Sequence, residues 1–268
     1  MMRVLSLGAG VQSSTLALMI AAGEVEPVNC AIFADTEGEP AAVYSWLDWL
    51  QSKLPFPVHR VSRGNLWAAV TRLQRNRAGT KSYISVGLPA YTDRDGVKGM
   101  RMRQCTRHFK IDPINAKLRE FLGGRPRKRD GVQIEVLLGL SADEVYRVKP
   151  HRKPWARSVW PLIDRGMTRA DCLAWMQRHS YPLPPRSACT FCPYRSDEEW
   201  LALTPEEFAD ACAKERELQV AFAGATGNTS VPYLHASRVP LGTVKFKPRP
   251  KGQQLSMFTN ECEGICGV

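Results

Sequence analysis

Two groups of residues in this sequence have types and spacings that suit chemistry. One is a glycine-rich turn between a strand pattern and a helix pattern, at residues 5–15 (LSLGAGVQSST). Backbone N–H groups at the start of a helix bind phosphate without a dedicated side chain. The other is a set of cysteines, in which Cys189 and Cys192 have the spacing of a metal chelate. The combination predicts sulfur chemistry on an adenylated or sulfated nucleotide.

We expect this turn to bind a nucleotide through residues at the strand end and in the first helical turn. Glycine lets the backbone approach phosphate closely, and hydroxyl groups add hydrogen bonds. The pattern is not the Walker sequence, because no Gly-Lys-Ser/Thr follows, and Ser13 replaces the last glycine of the dinucleotide pattern. The candidate nucleotide-binding residues are Ser6, Gly8, Ala9, Gly10, Gln12, Ser13 and Ser14.

Five sequence blocks resemble, in their order along the chain, the phosphoadenosine phosphosulfate (PAPS) reductase-like branch of the ATP-pyrophosphatase (PP-loop) superfamily. They are residues 5–15, 33–39 (FADTEGE), 105–113 (CTRHFKIDP), 139–147 (GLSADEVYR) and 189–192 (CTFC). Val11 and Gln12 depart from the frequent Lys and the Asp of the family loop. A Gly-hydrophobic-Gln run at this position is similar to sulfonucleotide reductases.

The resemblance implies roles for single residues in these blocks. Asp35 and Thr36 follow the second strand, and open α/β sheets bind ligands at such strand ends. Lys110 and Arg147 are expected to contact phosphate or ribose, and Asp35 and Glu144 are the candidate catalytic carboxylates. A surface ion pair is the alternative for Glu144 and Arg147. The implied cofactor is ATP or another adenine nucleotide, with Mg²⁺ left open.

Cysteines on the cluster positions of the family are the candidate metal ligands. Those within the matched blocks are Cys105, Cys189 and Cys192. Thr106 stands where the family has a further cysteine, so a 4Fe-4S cluster on three thiolates would keep one open iron. In relatives that thiolate nucleic acids, such an iron is thought to carry the transferred sulfur. Alternatively, Cys262 or Cys266 supplies a fourth ligand, and zinc is the alternative metal.

The tail at residues 260–268 (NECEGICGV) permits a second function. Sulfonucleotide reductases end in a mobile Glu-Cys-Gly segment whose cysteine attacks the sulfate sulfur, and Glu261 with Cys262 is similar to it. Glu263 departs from that segment, and Cys266 stands near the position of its His. Cys262 and Cys266 are therefore candidate catalytic thiols as well as candidate metal ligands.

Strand and helix patterns alternate along the first part of the chain, which predicts parallel strands joined by right-handed crossovers. We expect a doubly wound parallel α/β sheet of the adenine nucleotide alpha hydrolase-like kind. The PP-loop nucleotide-binding domain would span residues 1–165. A helical extension would span residues 166–268. It would carry the loop with Cys189 and Cys192, called the cysteine loop below, and the cysteine-containing tail. Residues 76–103 read as a long loop over a site.

The charge of the chain suits a polyanionic partner. Lys and Arg number 37 against 26 Asp and Glu, a formal net charge of +11. A soluble basic protein without a polymer partner is the alternative. Because no run of about 18 apolar residues occurs, no membrane span is expected. The start lacks a signal-peptide layout, so a cytoplasmic protein is expected, with thiols or metal ligands rather than disulfides.

Three functions remain as alternatives. The first is an iron–sulfur enzyme that adenylates a nucleic acid and thiolates it, with sulfur from a donor protein or sulfide. The second is an assimilatory sulfonucleotide reductase, acting on PAPS or its adenosine analogue, with Cys262 as nucleophile. The third is a non-catalytic, zinc-stabilised nucleic-acid-binding protein. A homodimer is left open in each.

Overall fold

The computed structural model of the protein describes residues 1–124 and 126–247. Both tail cysteines, Cys262 and Cys266, lie outside the described residues. In chain order the elements are β1 (Met2–Leu7), α1 (Val11–Ala21), β2 (Cys30–Asp35), α2 (Ala41–Lys53), β3 (Val58–Ser62), α3 (Leu66–Thr71), β4 (Leu73–Arg75), β5 (Ser82–Ile84), β6 (Tyr91–Arg94), β7 (Val97–Met100), α4 (Asp112–Phe121), β8 (Ile134–Leu138), β9 (Ala156–Val159), α5 (Pro161–Asp164), α6 (Arg169–Arg178), α7 (Asp197–Leu201), α8 (Pro205–Ala223) and β10 (Val231–Tyr233).

A five-stranded sheet in the order β3-β2-β1-β8-β9 forms the centre of the fold. Every neighbouring pair in it is parallel. Leu5 of β1 is paired with Ala31 on one side and with Leu137 on the other. Because β1 is the middle strand, the turn that follows it opens at the centre of the carboxyl edge, where such sheets bind ligands. The predicted α/β fold class is confirmed.

The two faces of the sheet carry separate apolar clusters, as strand alternation requires. Leu5 and Leu7 of β1 point to one face and pack with α1, α2 and α6, whereas Val4 points to the other face and packs with α4. Helices therefore cover both faces, as a doubly wound sheet needs. The domain boundary predicted at residue 165 stays a prediction.

A third apolar cluster lies beside the sheet and joins the helices of the C-terminal part. It includes Phe109 from a π-helix at Thr106–Ile111, Phe191 from the cysteine loop, and Trp200 of α7. Cys105 and Cys189 are partly buried against it. The cysteine loop is thus held by packing against the π-helix and α7.

The segment predicted as a loop at residues 76–103 contains short antiparallel strands instead. β6 pairs with β7 and with β10, and β4 pairs with β5. Asp95 and Gly96, with φ of 51° and 83°, form the tight turn between β6 and β7. The strands are three or four residues long and mostly polar, so no alternating apolar pattern marks them. Within the described ranges, no helix is long and apolar enough to cross a membrane.

Candidate functional site

The glycine-rich turn joins β1 to α1 and presents the first turn of that helix. Ala9 has φ of 58°, in the left-handed region, and Gly10 is the N-cap without a side-chain cap. The N–H of Gly8 donates to Ser13 Oγ at 3.2 Å. The first N–H groups of a helix have no partner within the helix, so an anion here would meet backbone donors. All candidate residues of the turn are buried.

The end of β2 lies next to this turn and carries Asp35 and Thr36. The carboxylate of Asp35 accepts from the N–H of Glu37 at 2.7 Å and from the hydroxyl of Tyr44 at 2.8 Å. Burial, and then the Asp35 carboxylate, raise the pKa of Tyr44, which therefore stays a hydrogen-bond donor. Asp35 is held in one orientation at the carboxyl edge.

The end of β8 completes the edge on the other side of β1. The amide of Gln12 donates to Glu144 at 3.2 Å and to Ser141 at 3.4 Å, and its oxygen accepts from Arg169 at 2.9 Å. Arg147 donates to Glu144 in turn. The structure thus brings Gln12, Glu144 and Arg147 together in a buried polar network. The network supports the first turn of α1 against the chain that follows β8.

Gly139 at the end of β8 allows the closest approach between that strand end and the turn. An ideal Cβ at residue 139 would lie 2.6 Å from Ser13 Cα and 2.7 Å from Ser13 N. Both are backbone atoms, which cannot move away independently. A glycine is therefore needed where β8 meets the start of α1.

The cysteine loop is seated directly on this edge of the sheet. The hydroxyl of Ser187 donates to the carbonyl of Gly8, and the N–H of Thr190 donates to the carbonyl of Gly38 at 2.9 Å. Cys189 Sγ lies 3.3 Å from Thr36 Oγ1. Residues distant in sequence therefore place a thiol at the end of β2, beside the candidate phosphate turn.

The side chain of Arg195 holds the cysteine loop by hydrogen bonds to its backbone carbonyls. Its guanidinium donates to the carbonyl of Ala188 at 2.9 Å and to that of Cys189 at 3.2 Å. The N–H of Cys192 donates to the Cys189 carbonyl at 3.0 Å, which closes the turn between the two cysteines. Sequence reasoning missed Arg195, because an arginine three residues past a Cys-x-x-Cys pair has no signal of its own.

A buried ion pair lies under the Cys189 thiol. Lys110 Nζ is 3.3 Å from Glu39 Oε1, and the two residues are 5% and 6% exposed. The other Glu39 oxygen has no hydrogen-bond partner among the described residues. Burial first, and then the Glu39 carboxylate, raise the pKa of the Cys189 thiol well above its usual value, whereas Lys110 lowers it. Cys189 therefore needs additional positive charge nearby to become a thiolate.

Cys105 and Cys192 lie on the same side of the protein, around Tyr194. Burial raises the pKa of the Tyr194 phenol, and charge on Cys192 and Cys105 acts in the same direction. The guanidinium of Arg103 lies 5.6 Å from the centre of the Tyr194 ring. Tyr194 was not predicted from the sequence, although Arg103 belongs to residues 76–103, which were predicted to lie over a site.

The thiols have the right chemistry for a cluster or zinc, but their arrangement does not complete a site. In the part of the chain that the structure describes, no three Cys, His, Asp or Glu side chains are grouped so as to hold a metal ion. Cys105, Cys189 and Cys192 therefore do not by themselves fit the cluster that the sequence motifs imply.

Comparison with known proteins gives distant likenesses to solved structures. No protein-family model matches the chain, and no curated protein matches it. It is similar to phosphoadenylyl-sulfate (PAPS) reductase from Candida auris, at 13% identity, TM-score 0.39, over 68% of this chain and 74% of that one. It is also similar to U34-tRNA thiolase NcsA from Methanococcus maripaludis, solved with a 4Fe-4S cluster, at 12% identity, TM-score 0.35, over 81% and 72%. Both are members of the PP-loop superfamily, whose PAPS reductase-like branch the motifs of this chain resemble.

Proposed function

We propose that the protein is an adenine-nucleotide-dependent sulfur-transfer enzyme that thiolates a nucleic acid. The observation that carries the proposal is the contact of 3.3 Å between Cys189 Sγ and Thr36 Oγ1. Thr36 directly follows β2, at the edge where an open α/β sheet binds its ligand. A thiol beside a nucleotide turn suits a reaction in which sulfur replaces an oxygen that the nucleotide has activated.

The proposed reaction has two steps. A carbonyl oxygen of the nucleic-acid base attacks the α-phosphorus of ATP, an O–P bond forms, and pyrophosphate leaves. Hydrosulfide, supplied free or by a donor protein, then attacks the activated carbon. The C–O bond breaks, AMP leaves with that oxygen, and one proton is released as the C=S bond forms. Adenylation is useful because it converts a poor oxygen leaving group into a phosphate ester.

Residues of the glycine-rich turn and of the strand ends would have separate roles in this reaction. The first turn of α1, after Gly10, would bind phosphate through backbone N–H groups. Asp35, fixed by Tyr44, would accept a hydrogen bond from the nucleotide. Burial at the edge would exclude water, which otherwise hydrolyses an adenylated intermediate.

A 4Fe-4S cluster is the proposed cofactor, with zinc as the alternative metal. Cys105, Cys189 and Cys192 would supply three thiolates, and Cys262 or Cys266 would complete the site. A cluster would supply the positive charge that the Cys189 thiol needs to ionise.

Sulfonucleotide reduction is a second candidate, and a contact in the chain that precedes the tail favours it. The N–H of Lys247 donates to Asp197 at 2.7 Å, and Asp197 begins α7, directly after the cysteine loop. Lys247 is therefore anchored beside the cysteine loop. In this reaction Cys262 would attack the sulfate sulfur, form an S–S bond and release the nucleotide, and a dithiol would then release sulfite.

The experiment compares anaerobic wild-type protein with Cys189→Ser and with Cys212→Ser, a thiol on α8, as the control. We expect iron in the wild type and in Cys212→Ser, and its loss in Cys189→Ser. We also expect ATP-dependent formation of thiolated RNA, seen as retardation in a mercury-containing gel. Stoichiometric zinc without iron would contradict the cluster. Binding of PAPS but not ATP, with release of sulfite, would replace the proposal by the reductase.

A further inference from the structure

A cleft whose lining includes none of the candidate thiols lies along the edge of the sheet. It has a volume of about 760 Å³ and is lined by the consecutive residues Val58–Arg63 and by α4 between Asp112 and Glu120. Among the described residues, β3 ends the five-stranded sheet and pairs only with β2. The floor of this edge groove is thus the outer edge of β3, and α4 forms one wall.

Basic side chains predominate along the edge groove. It is lined by Arg60, Arg63, Lys117 and Arg119, against the carboxylates of Asp112 and Glu120. Several of these cations have exposed partners: Arg60 with Asp48, Arg63 with Asp112 at 3.3 Å, and Lys117 with Glu120 at 2.6 Å. Exposed ion pairs contribute about 1 kcal/mol or less, so an incoming phosphate can replace the carboxylates.

The edge groove opens towards the candidate site. Arg63 Nη1 donates to the carbonyl of His108 at 3.3 Å, on the π-helix that starts directly after Cys105. On the other side, the hydroxyl of Ser62 donates to Glu37 at 2.9 Å, next to Thr36. A polymer lying in the edge groove would therefore reach both the end of β2 and the segment that carries Cys105.

We propose that the edge groove binds the phosphodiester backbone of the acceptor nucleic acid, an inference that rests on the proposed function for that acceptor. Rows of exposed Arg and Lys position a backbone without reading its sequence. A protein partner would instead need an apolar anchor, and the apolar lining here is small: Val58, Val61, Pro113 and Ala116. A second copy of the chain is disfavoured as the occupant. If two copies paired antiparallel through β3, Arg60 in the middle of the strand would lie close to its own equivalent, and the like charges would repel each other.

The test measures binding of a fluorescein-labelled single-stranded RNA by anisotropy at several salt concentrations. The variant Arg60→Gln with Arg119→Gln removes two exposed cations of the edge groove. Log affinity falls as log salt rises, and we expect this slope to become shallower by about 1.4 in the variant, at about 0.7 for each lost phosphate contact. The control, Arg152→Gln with Arg178→Gln, removes two exposed cations elsewhere. It should keep the slope of the wild type.

The outcomes separate this inference from the proposed function. If the wild type binds RNA and the edge-groove variant keeps its slope, the edge groove is not the binding track, although the proposed function stands. If the wild type binds no RNA, both are overturned. Unchanged RNA binding with lost binding of poly-glutamate would assign the edge groove to an acidic protein. Circular dichroism and unchanged ATP binding verify that each variant is folded.

Discussion

At the residue scale, Gly139 decides how closely the end of β8 can approach the glycine-rich turn, called the phosphate turn below. A methyl group there would lie 2.6 Å from Ser13 Cα, far inside contact distance. We predict that Gly139→Ala destabilises the protein by about 1–3 kcal/mol, as overpacking does. It should also weaken nucleotide binding, because Ser13 belongs to the first turn of α1. Urea unfolding and calorimetry measure the two effects.

Gly242→Ala is the matched control for this variant. Its Cβ would be 3.7 Å from Cys212 Sγ, an ordinary contact, and residue 242 lies in the C-terminal segment. Stability and nucleotide affinity should stay near those of the wild type. A stable Gly139→Ala protein with full nucleotide affinity would show that the turn does not depend on this close approach.

At the element scale, Glu215 of α8 holds the chain that follows this helix. The buried carboxylate accepts from the N–H of Leu234 at 2.8 Å and from that of Leu241 at 2.6 Å. We predict that Glu215→Ala exposes both amides to faster hydrogen exchange and costs about 1–3 kcal/mol for each donor left unpaired. Arg216→Ala, an exposed neighbour on α8, is the control. Equal protection of both amides in the two variants would contradict this account.

Several elements could be predicted from the sequence because local rules determine them. The helices that begin after Thr168 and Thr204 are of this kind, because each has a capping box, with Asp171 and Glu207 at the third helical position. β9 has no such local signal. It is four residues long and contains the exposed Arg157, and its place depends on pairing with β8 rather than on its own pattern.

The candidate site was only partly predictable, for a related reason. The sequence marks Thr36, Cys189 and the turn around Gly8 separately, but their contacts cross 153 residues for Thr36–Cys189 and 179 for Gly8–Ser187. Glu39 was named only as part of a motif. Its pairing with Lys110 beneath a thiol follows from tertiary packing, which no local pattern encodes.

At the scale of the whole molecule, the cysteine loop lies against the carboxyl edge of the five-stranded sheet. Ser187 closes onto Gly8, and Cys189 onto Thr36, so the loop covers the turn where phosphate would bind. A nucleotide at the turn should therefore restrict access to the thiols of the loop. We infer that the glycine-rich turn and these thiols make a single site.

The most direct test is the rate at which iodoacetamide alkylates each cysteine in anaerobic protein freed of metal with a chelator, measured by mass spectrometry with and without ATP. If the two parts are one site, ATP at about 100 times its Kd should slow alkylation of Cys189 and Cys192 by up to about 100-fold. Cys212, half-buried on α8, should react at the same rate in both samples. Equal rates for Cys189 and Cys192 at saturating ATP, with binding verified by calorimetry, would contradict a single site.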